Sequence, residues 1–169
     1  ADVASTPGDE HVHVQHPMGI GHTPRRCAVH YAHGVSSSST APFVRVVVIN
    51  YDGGAVTRRC VDALLATEYP ADRLQVIVVD NASSDGSVEA AEAFPGVRVL
   101  RSGANVGFSA GNNLGIRRAT GKYLFFLNND TAVLPGWLDE LIGTFRVMPD
   151  AGLVGSMLVC PDGRLQEAG

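Results

Sequence analysis

Tyr123-Leu124-Phe125-Phe126-Leu127-Asn128-Asn129-Asp130-Thr131 runs apolar as far as Leu127 and then breaks into two amides and an acid. An apolar run of this length reads as a strand buried on both faces of a sheet. Polar residues at the carboxyl end of such a strand stand where open α/β sheets bind their ligands. The same pattern occurs earlier, where apolar Leu74 to Val79 is followed by Asp80, Asn81, Ala82, Ser83, Ser84, Asp85 and Gly86. Two strands of this kind would deliver acids to one rim, and Asp130 is the first candidate for a metal or phosphate-linked site.

Working outward from these strands, the chain alternates from Phe43 onward. Val, Ile and Phe enrichment predicts strands near 43–50, 75–80, 97–101, 122–128 and 152–159. Helical spacing predicts helices near 55–68, 86–94, 108–119 and 136–147; in the first, Val61, Leu64 and Leu65 share one side while Arg58, Arg59 and Asp62 lie elsewhere. Strand and helix in alternation predict right-handed βαβ crossovers and a Rossmann-type three-layer α/β/α sandwich with a mostly parallel sheet. Asp162-Gly163 reads as a tight turn after the fifth strand.

Residues 1–41 differ in kind. They carry all six histidines, the Ser36 to Ser39 run and several Pro and Gly, without sustained periodicity, and read as a disordered leader ahead of a folded part at 42–169. His11, His13 and His16 could ligate a transition metal, although spacing alone fixes no coordination geometry. From Gly34 to Gly169 there is no histidine, which excludes Ser-His-Asp and Cys-His mechanisms from the folded part.

At 169 residues the chain has room for about one domain with its own core. A hydrophobic fraction of 45% is that of a globular protein, and a net charge of −4 gives no reason to expect nucleic acid or an anionic membrane as partner. No apolar run approaches the roughly 20 residues of a spanning helix, and no charged-then-apolar start is present, so neither transmembrane segment nor signal peptide is expected. Cys27, Cys60 and Cys160 are odd in number and lack metal-ligand spacing. They suit a reducing, cytoplasmic compartment, with peripheral contact at a membrane left open, and argue against a disulfide framework or a zinc site.

Four loops follow strands on one expected edge. The first, Asn50-Tyr51-Asp52-Gly53-Gly54, lacks the Gly-x-Gly-x-x-Gly of a dinucleotide fold and the Gly-Lys-Ser/Thr of a phosphate-binding loop, which weighs against a dehydrogenase or nucleotide hydrolase. Tyr51 beside Asn50 can stack on and hydrogen-bond a planar base, and an ordinary strand-to-helix turn explains the glycines equally well. In the second loop Asp80 is either an acceptor for a nucleobase imide or ribose, or a turn organiser, with Asp85 or Ser84 the more natural helix cap. The third, Asn105 to Asn113, is dense in Gly and Asn where a helix begins, which suits close approach of a ligand and binding of phosphate at the helix start, although Gly and Asn also mark any turn or cap. At the fourth, Asp130 is a hard oxygen ligand for Mg²⁺ or Mn²⁺ shared with a diphosphate, or a cap ahead of Pro135-Gly136-Trp137, and Asn128 could add a neutral carbonyl or contact the ribose.

Val-Val-Val-Ile-Asn-Tyr-Asp-Gly-Gly, Val-Ile-Val-Val-Asp-Asn-Ala-Ser-Ser-Asp-Gly-Ser, Asn-Val-Gly-Phe-Ser-Ala-Gly-Asn-Asn-Leu-Gly-Ile and Phe-Leu-Asn-Asn-Asp-Thr follow one another in this order. In order and spacing they resemble family 2 glycosyltransferases of the GT-A fold, particularly the rhamnosyltransferase-like branch, over residues 43–169. The resemblance implies sugar transfer from a dTDP-, UDP- or GDP-linked donor to a glycan or lipid-linked acceptor, with inversion, in cell-wall or polysaccharide biosynthesis. It implies that Tyr51 and Asp80 hold the base, that the Asn105 to Asn113 loop, with Gly107, Phe108 and Asn112, lines the donor pocket, and that Asp130 closes an Asp-x-Asp-like motif and binds the divalent metal. Asn128 replaces the first acid of that motif, and Asp52 stands where Asn is usual after the Tyr. Family members of this kind continue beyond the position of Gly169, and the acceptor pocket and general base lie in that continuation. The chain therefore resembles the donor-binding half of a longer enzyme, catalytically incomplete by itself. A non-catalytic nucleotide-sugar binding module is the alternative.

Overall fold

The computed structural model describes residues 11–15, 26–30, 41–160, 162 and 164–168. Its centre is a four-stranded sheet in which β3 (Val44–Asn50) lies between β4 (Leu74–Asp80) and β6 (Tyr123–Asn128), with β5 (Val97–Arg101) outside β4. All three pairings are parallel. Every residue of β3 is buried, as is β4 from Val76 onward, because helices cover both faces and strand side chains alternate between them.

On one face Val44, Val46 and Val48 meet Val76 and Val78 under α1 (Gly54–Leu65), α2 (Ser87–Glu92) and α4 (Trp137–Val147). On the other, Val47, Ile49, Ile77 and Val79 pack with Leu114 of α3 (Phe108–Arg118). Each fully buried side chain of this size contributes about 1.5–3 kcal/mol relative to exposure, so the two clusters carry the fold. α3 approaches closely because Gly115 has no side chain: a Cβ there would lie 2.5 Å from Val47 Cγ1 and 3.3 Å from Val79 Cγ2.

Three expectations need correction. β6 is not buried on both faces, since Phe126 is 48% exposed while Tyr123, Phe125 and Leu127 pack inward. It is an edge strand of the sheet, and Leu124 on its second face meets the smaller cluster. The strand expected over 152–159 shrinks to β7 (Met157–Val159), because Gly155-Ser156 interrupts the apolar run. It pairs antiparallel with β8 (Leu165–Ala168) in a separate ribbon and does not extend the central sheet. Asp162 lies in the turn between them as expected, accepting from Arg164 N at 3.1 Å, whereas Gly163 lies outside the described residues.

The third correction concerns the amino-terminal stretch, where no strand is expected. The structure describes β1 (His11–Gln15) and β2 (Arg26–His30) as an antiparallel pair. His-Val-His-Val-Gln alternates with period two, the signal a short strand needs. His16 and the remainder of the leader up to residue 40 lie outside the described residues.

Candidate functional site

The chain passes from β3 outward through β4 to β5, then returns to the opposite side of β3 as β6. The direction of winding therefore reverses between β3 and β6, and the crevice beyond the carboxyl ends of those strands is where a sheet of this kind receives a ligand. Register brings the candidate residues to that edge, since Asn128 is level with Ile49 and Asp80 with Asn50.

A cleft of about 520 Å³ opens there, lined by Ile49, Tyr51, Asn81, Asn105, Gly107, Phe108, Asn128, Asn129 and Asp130. Six of the residues singled out from the sequence meet in it: Tyr51, Asn105, Gly107, Phe108, Asn128 and Asp130. Two aromatic rings are held in the open, with Tyr51 52% and Phe108 59% exposed. Exposed rings lining a concave surface are suited to stacking on a planar group. Gly107 has φ +81°, a conformation that a side chain resists, and it places the start of α3 at the cleft wall. Phe108 and Asn128 also border a neighbouring apolar cavity of about 300 Å³ between β6 and residues 153–158.

Asn50 and Asp80 do not line this cleft. Both are buried behind it, at 0% and 3% exposure. Asp80 Oδ1 faces Asn50 Nδ2 at 3.2 Å, and both its oxygens accept from Ser83 N at 3.3 Å, the contacts of a turn organiser. Asn50 Nδ2 also reaches Ser83 Oγ at 2.9 Å and Ser87 Oγ at 2.8 Å. Asn112 is also outside the lining; it sits one turn into α3, and its Nδ2 donates to Phe108 O at 3.2 Å. Asp85 joins the starts of two helices, accepting from Gly54 N at 2.7 Å and from Ser87 N at 3.0 Å. The Ser87 hydroxyl, with the backbone amides of Ser87 and Gly54, holds the Asp85 carboxyl below the usual carboxylate range. The cap position of α2 itself is Gly86, at φ +79°.

Sequence reasoning missed the residues that hold the rims in place. Asn81 is 3% exposed and clamps the third loop: its Nδ2 donates to Asn105 Oδ1 at 2.9 Å, and its Oδ1 accepts from Val106 N at 2.9 Å. Thr57, on the buried face of α1, donates to Asn50 Oδ1 at 2.6 Å and accepts from Asn129 Nδ2 at 2.9 Å. Cys60, one turn further along α1, directs its Sγ to Asn128 O at 3.6 Å. Asn81 follows an acid that drew the assignment, and Thr57 looks like any small residue on a helix. The signal available was polarity at positions whose spacing is that of a buried face.

α4 packs against β6, the strand that leads into the fourth loop. Trp137 meets the Phe125 ring edge-on at 5.6 Å between centroids and donates from Nε1 to Thr67 Oγ1 at 3.1 Å. The loop closes on itself where Thr131 N donates to Asn128 O at 3.0 Å.

Burial, followed by the negative charge of Asp130, pushes the Cys60 thiol up to about 12, so it is a neutral packing group and no nucleophile. Among the described residues, Asp130 is the cleft's carboxylate, with Asn128 and Asn129 as neutral amides beside it. No group of three or more His, Cys, Asp or Glu side chains able to cage a metal occurs among the described residues. This donor set fits a hard divalent cation that takes its other ligands from a diphosphate and water, which is how Mg²⁺ is usually held. It does not fit a closed all-protein site.

Residues 45–168 match the family model described as glycosyl transferase family 2. The chain is 32% identical over 111 residues to glycosyltransferase AglE of Haloferax volcanii, covering 63% of this chain and 36% of that protein. It is 32% identical over 131 residues to the N-acetylglucosaminyl-diphospho-decaprenol L-rhamnosyltransferase of Mycobacterium tuberculosis, covering 70% of this chain and 42% of that enzyme. The chain thus spans well under half the length of these relatives. Among solved structures it is similar to the mannosyltransferase PcManGT from Pyrobaculum calidifontis in complex with GDP-Man and Mn²⁺, at 30% identity and a TM-score of 0.51, over 54% of this chain and 28% of that one. S. aureus TarS in complex with UDP-GlcNAc shares the fold, at 18% identity and a TM-score of 0.60, over 68% of this chain and 38% of that one. The architecture is the α/β sandwich of GT-A glycosyltransferases.

Proposed function

The chain belongs to glycosyl transferase family 2, and from that premise we propose that its cleft binds a nucleotide-diphosphate-sugar donor, with a divalent metal, for transfer of the sugar with inversion to a glycan or lipid-linked acceptor. One observation carries the proposal: Tyr51, Phe108 and Asp130, which follow three different strands, line a single cleft at the point where the sheet reverses direction.

The roles follow from chemistry. Tyr51 offers an exposed ring for the base. Asn50 and Asp80, packed behind it, orient the strand ends on which the base rests, Asp80 through its contacts to Asn50 and Ser83. Gly107 sets the entry to α3, whose first turn presents backbone N–H groups to the diphosphate, the negative charge of which suits a helix N-terminus. Asp130 would hold Mg²⁺ or Mn²⁺, with the Asn128 carbonyl beside it. When bound, the metal supplies positive charge where the departing diphosphate gathers negative charge. Asn105 keeps the third loop closed through Asn81 and Gly107 N.

Inversion in one displacement needs a carboxylate to take the proton of the acceptor hydroxyl. We assign that base to no residue of the described cleft, where Asp130 is committed to the metal, and expect it beyond Gly169. The relatives, more than twice as long as the matched region, leave room for it. No helix among the described residues is long and apolar enough to cross a membrane.

The test is calorimetric titration of the chain with UDP, dTDP and GDP, each with and without Mn²⁺. Asp130→Ala should remove the metal-dependent part of the affinity, and Asp80→Ala should weaken binding with or without metal. Equal, metal-independent affinity for wild type and both folded variants would refute the assignment. Donor affinity without transfer or donor hydrolysis in the full-length protein would point instead to a binding module.

A further inference from the structure

We propose that Thr57 is a positioning residue whose hydroxyl couples the buried Asn50–Asp80 cluster to the loop presenting Asp130, so that the base side and the metal side of the cleft keep a fixed spacing. The inference rests on the donor-binding reading for its functional consequence, but its structural content stands apart.

Thr57 is 1% exposed and lies in the first turn of α1. A hydroxyl within a helix commonly donates to the carbonyl four residues back, which here is Gly53 O. Thr57 Oγ1 instead donates to Asn50 Oδ1 at 2.6 Å, and its single proton is then committed. Its lone pairs accept Asn129 Nδ2 at 2.9 Å. Donor and acceptor capacity are both used, in one direction: Asn129 to Thr57 to Asn50, and from Asn50 Nδ2 to Asp80, Ser83 and Ser87. The three acceptors around that amide exceed its two hydrogens, so Asn50 is held from several sides.

Space around this relay is reserved by Gly53. A Cβ at that position would overlap Thr57 Oγ1, Asn129 Nδ2 and Asn50 Oδ1 together. Gly53 has φ −84°, where any residue fits, so the glycine is required by the relay and not by the backbone. Asn129 is the residue between Asn128 and Asp130. Fixing its amide from beneath, while Cys60 Sγ holds Asn128 O, leaves its two neighbours facing the cleft. The helix therefore touches the metal-side loop at two points one turn apart, and touches the base side through Asn50.

The test uses the full 169-residue chain as wild type, Thr57→Val, Thr57→Ser and Asn129→Ala. Thr57→Val keeps the shape and removes both bonds, Thr57→Ser keeps the hydroxyl, and Asn129→Ala cuts only the loop's end should the valine variant fail to fold. Without ligand, amide hydrogen exchange at residues 128–131 should quicken about 3- to 10-fold in Thr57→Val or Asn129→Ala, the worth of one net hydrogen bond, with β4 unchanged. Thr57→Ser should match wild type. In titrations with the tightest binder among UDP, dTDP and GDP, the Mn²⁺-dependent part of the affinity should fall by a similar factor in Thr57→Val and Asn129→Ala and recover in Thr57→Ser, while metal-free affinity stays level in Asn129→Ala, which leaves the bond from Thr57 to Asn50 in place. Unchanged exchange at 128–131 in a folded Thr57→Val or Asn129→Ala overturns the proposal, as does serine failing to rescue, or an equal loss with and without metal in Asn129→Ala. Absence of nucleotide binding in wild type would count against the donor reading alone, since the exchange experiment decides the relay independently.

Discussion

Adding one methyl group at Gly53 tests the polar floor of the cleft. In Gly53→Ala the new Cβ falls on Thr57 Oγ1, Asn129 Nδ2 and Asn50 Oδ1, and all three are side-chain atoms that can move only by leaving one another. Two bonds, at 2.6 Å and 2.9 Å, are lost or stretched. Each contributes about 0.5–1.5 kcal/mol net, and a buried polar group stranded by the change costs about 1–3 kcal/mol more. Against this, alanine restricts the unfolded chain and returns about 0.4–1 kcal/mol at a φ it can adopt. The balance is a destabilisation of about 2–4 kcal/mol, which at this chain length lowers Tm by roughly 4–16 °C. Gly152→Ala is the control, because a Cβ there meets nothing within 4 Å. Urea and thermal unfolding followed by circular dichroism measure both. A Gly53→Ala protein as stable as Gly152→Ala would refute the idea that these side chains form a tight, filled network.

Cys60 should resist iodoacetamide in the native chain at pH 8 and react on unfolding, since burial beside Asp130 keeps its thiol protonated up to about pH 12; mass-spectrometric mapping of the label checks this. Asp85 titrates below its ordinary 3.8 in the folded chain, so the native state binds fewer protons than the unfolded one in that range. Stability from this group is present above pH 3.8 and is lost as pH falls further; Asp85→Asn should flatten that acid limb of an unfolding-versus-pH profile. Ala82 sits at φ +66°, a left-handed conformation that costs a side-chain-bearing residue about 1–2 kcal/mol, and Ala82→Gly should therefore raise the unfolding midpoint in urea.

Much of the fold was legible because burial on two faces leaves a plain mark. Val46 to Ile49 and Val76 to Val79 are apolar without interruption, as strands between helix layers must be. The same logic overreached at Tyr123 to Leu127, where an aromatic run looks alike at the edge and the centre of a sheet, and at Leu153-Val154, where Gly155 ends what resembled a strand. The cleft was legible at its rims, where polar residues follow the strands at once. Its floor was not, because Asn81 and Thr57 act through side-chain partners far away in sequence, such as Asn105 and Asn129, which no local pattern reveals. Asp80 carries a similar lesson: at a strand end it reads either as an acceptor for a base or ribose or as a turn organiser, and only its contacts to Ser83 and Asn50 show where it sits.

The central claim, that this cleft takes a nucleoside diphosphate together with a divalent metal, is tested most directly by paramagnetic broadening in ¹⁵N-labelled chain. Substoichiometric Mn²⁺ added with the best-binding nucleotide should broaden the amide signals of Asn128 to Thr131 first, then Tyr51 and the Asn105 to Phe108 loop, and Asp130→Ala should abolish the pattern. Broadening centred on His11, His13 and His16, or unchanged by Asp130→Ala, would contradict it.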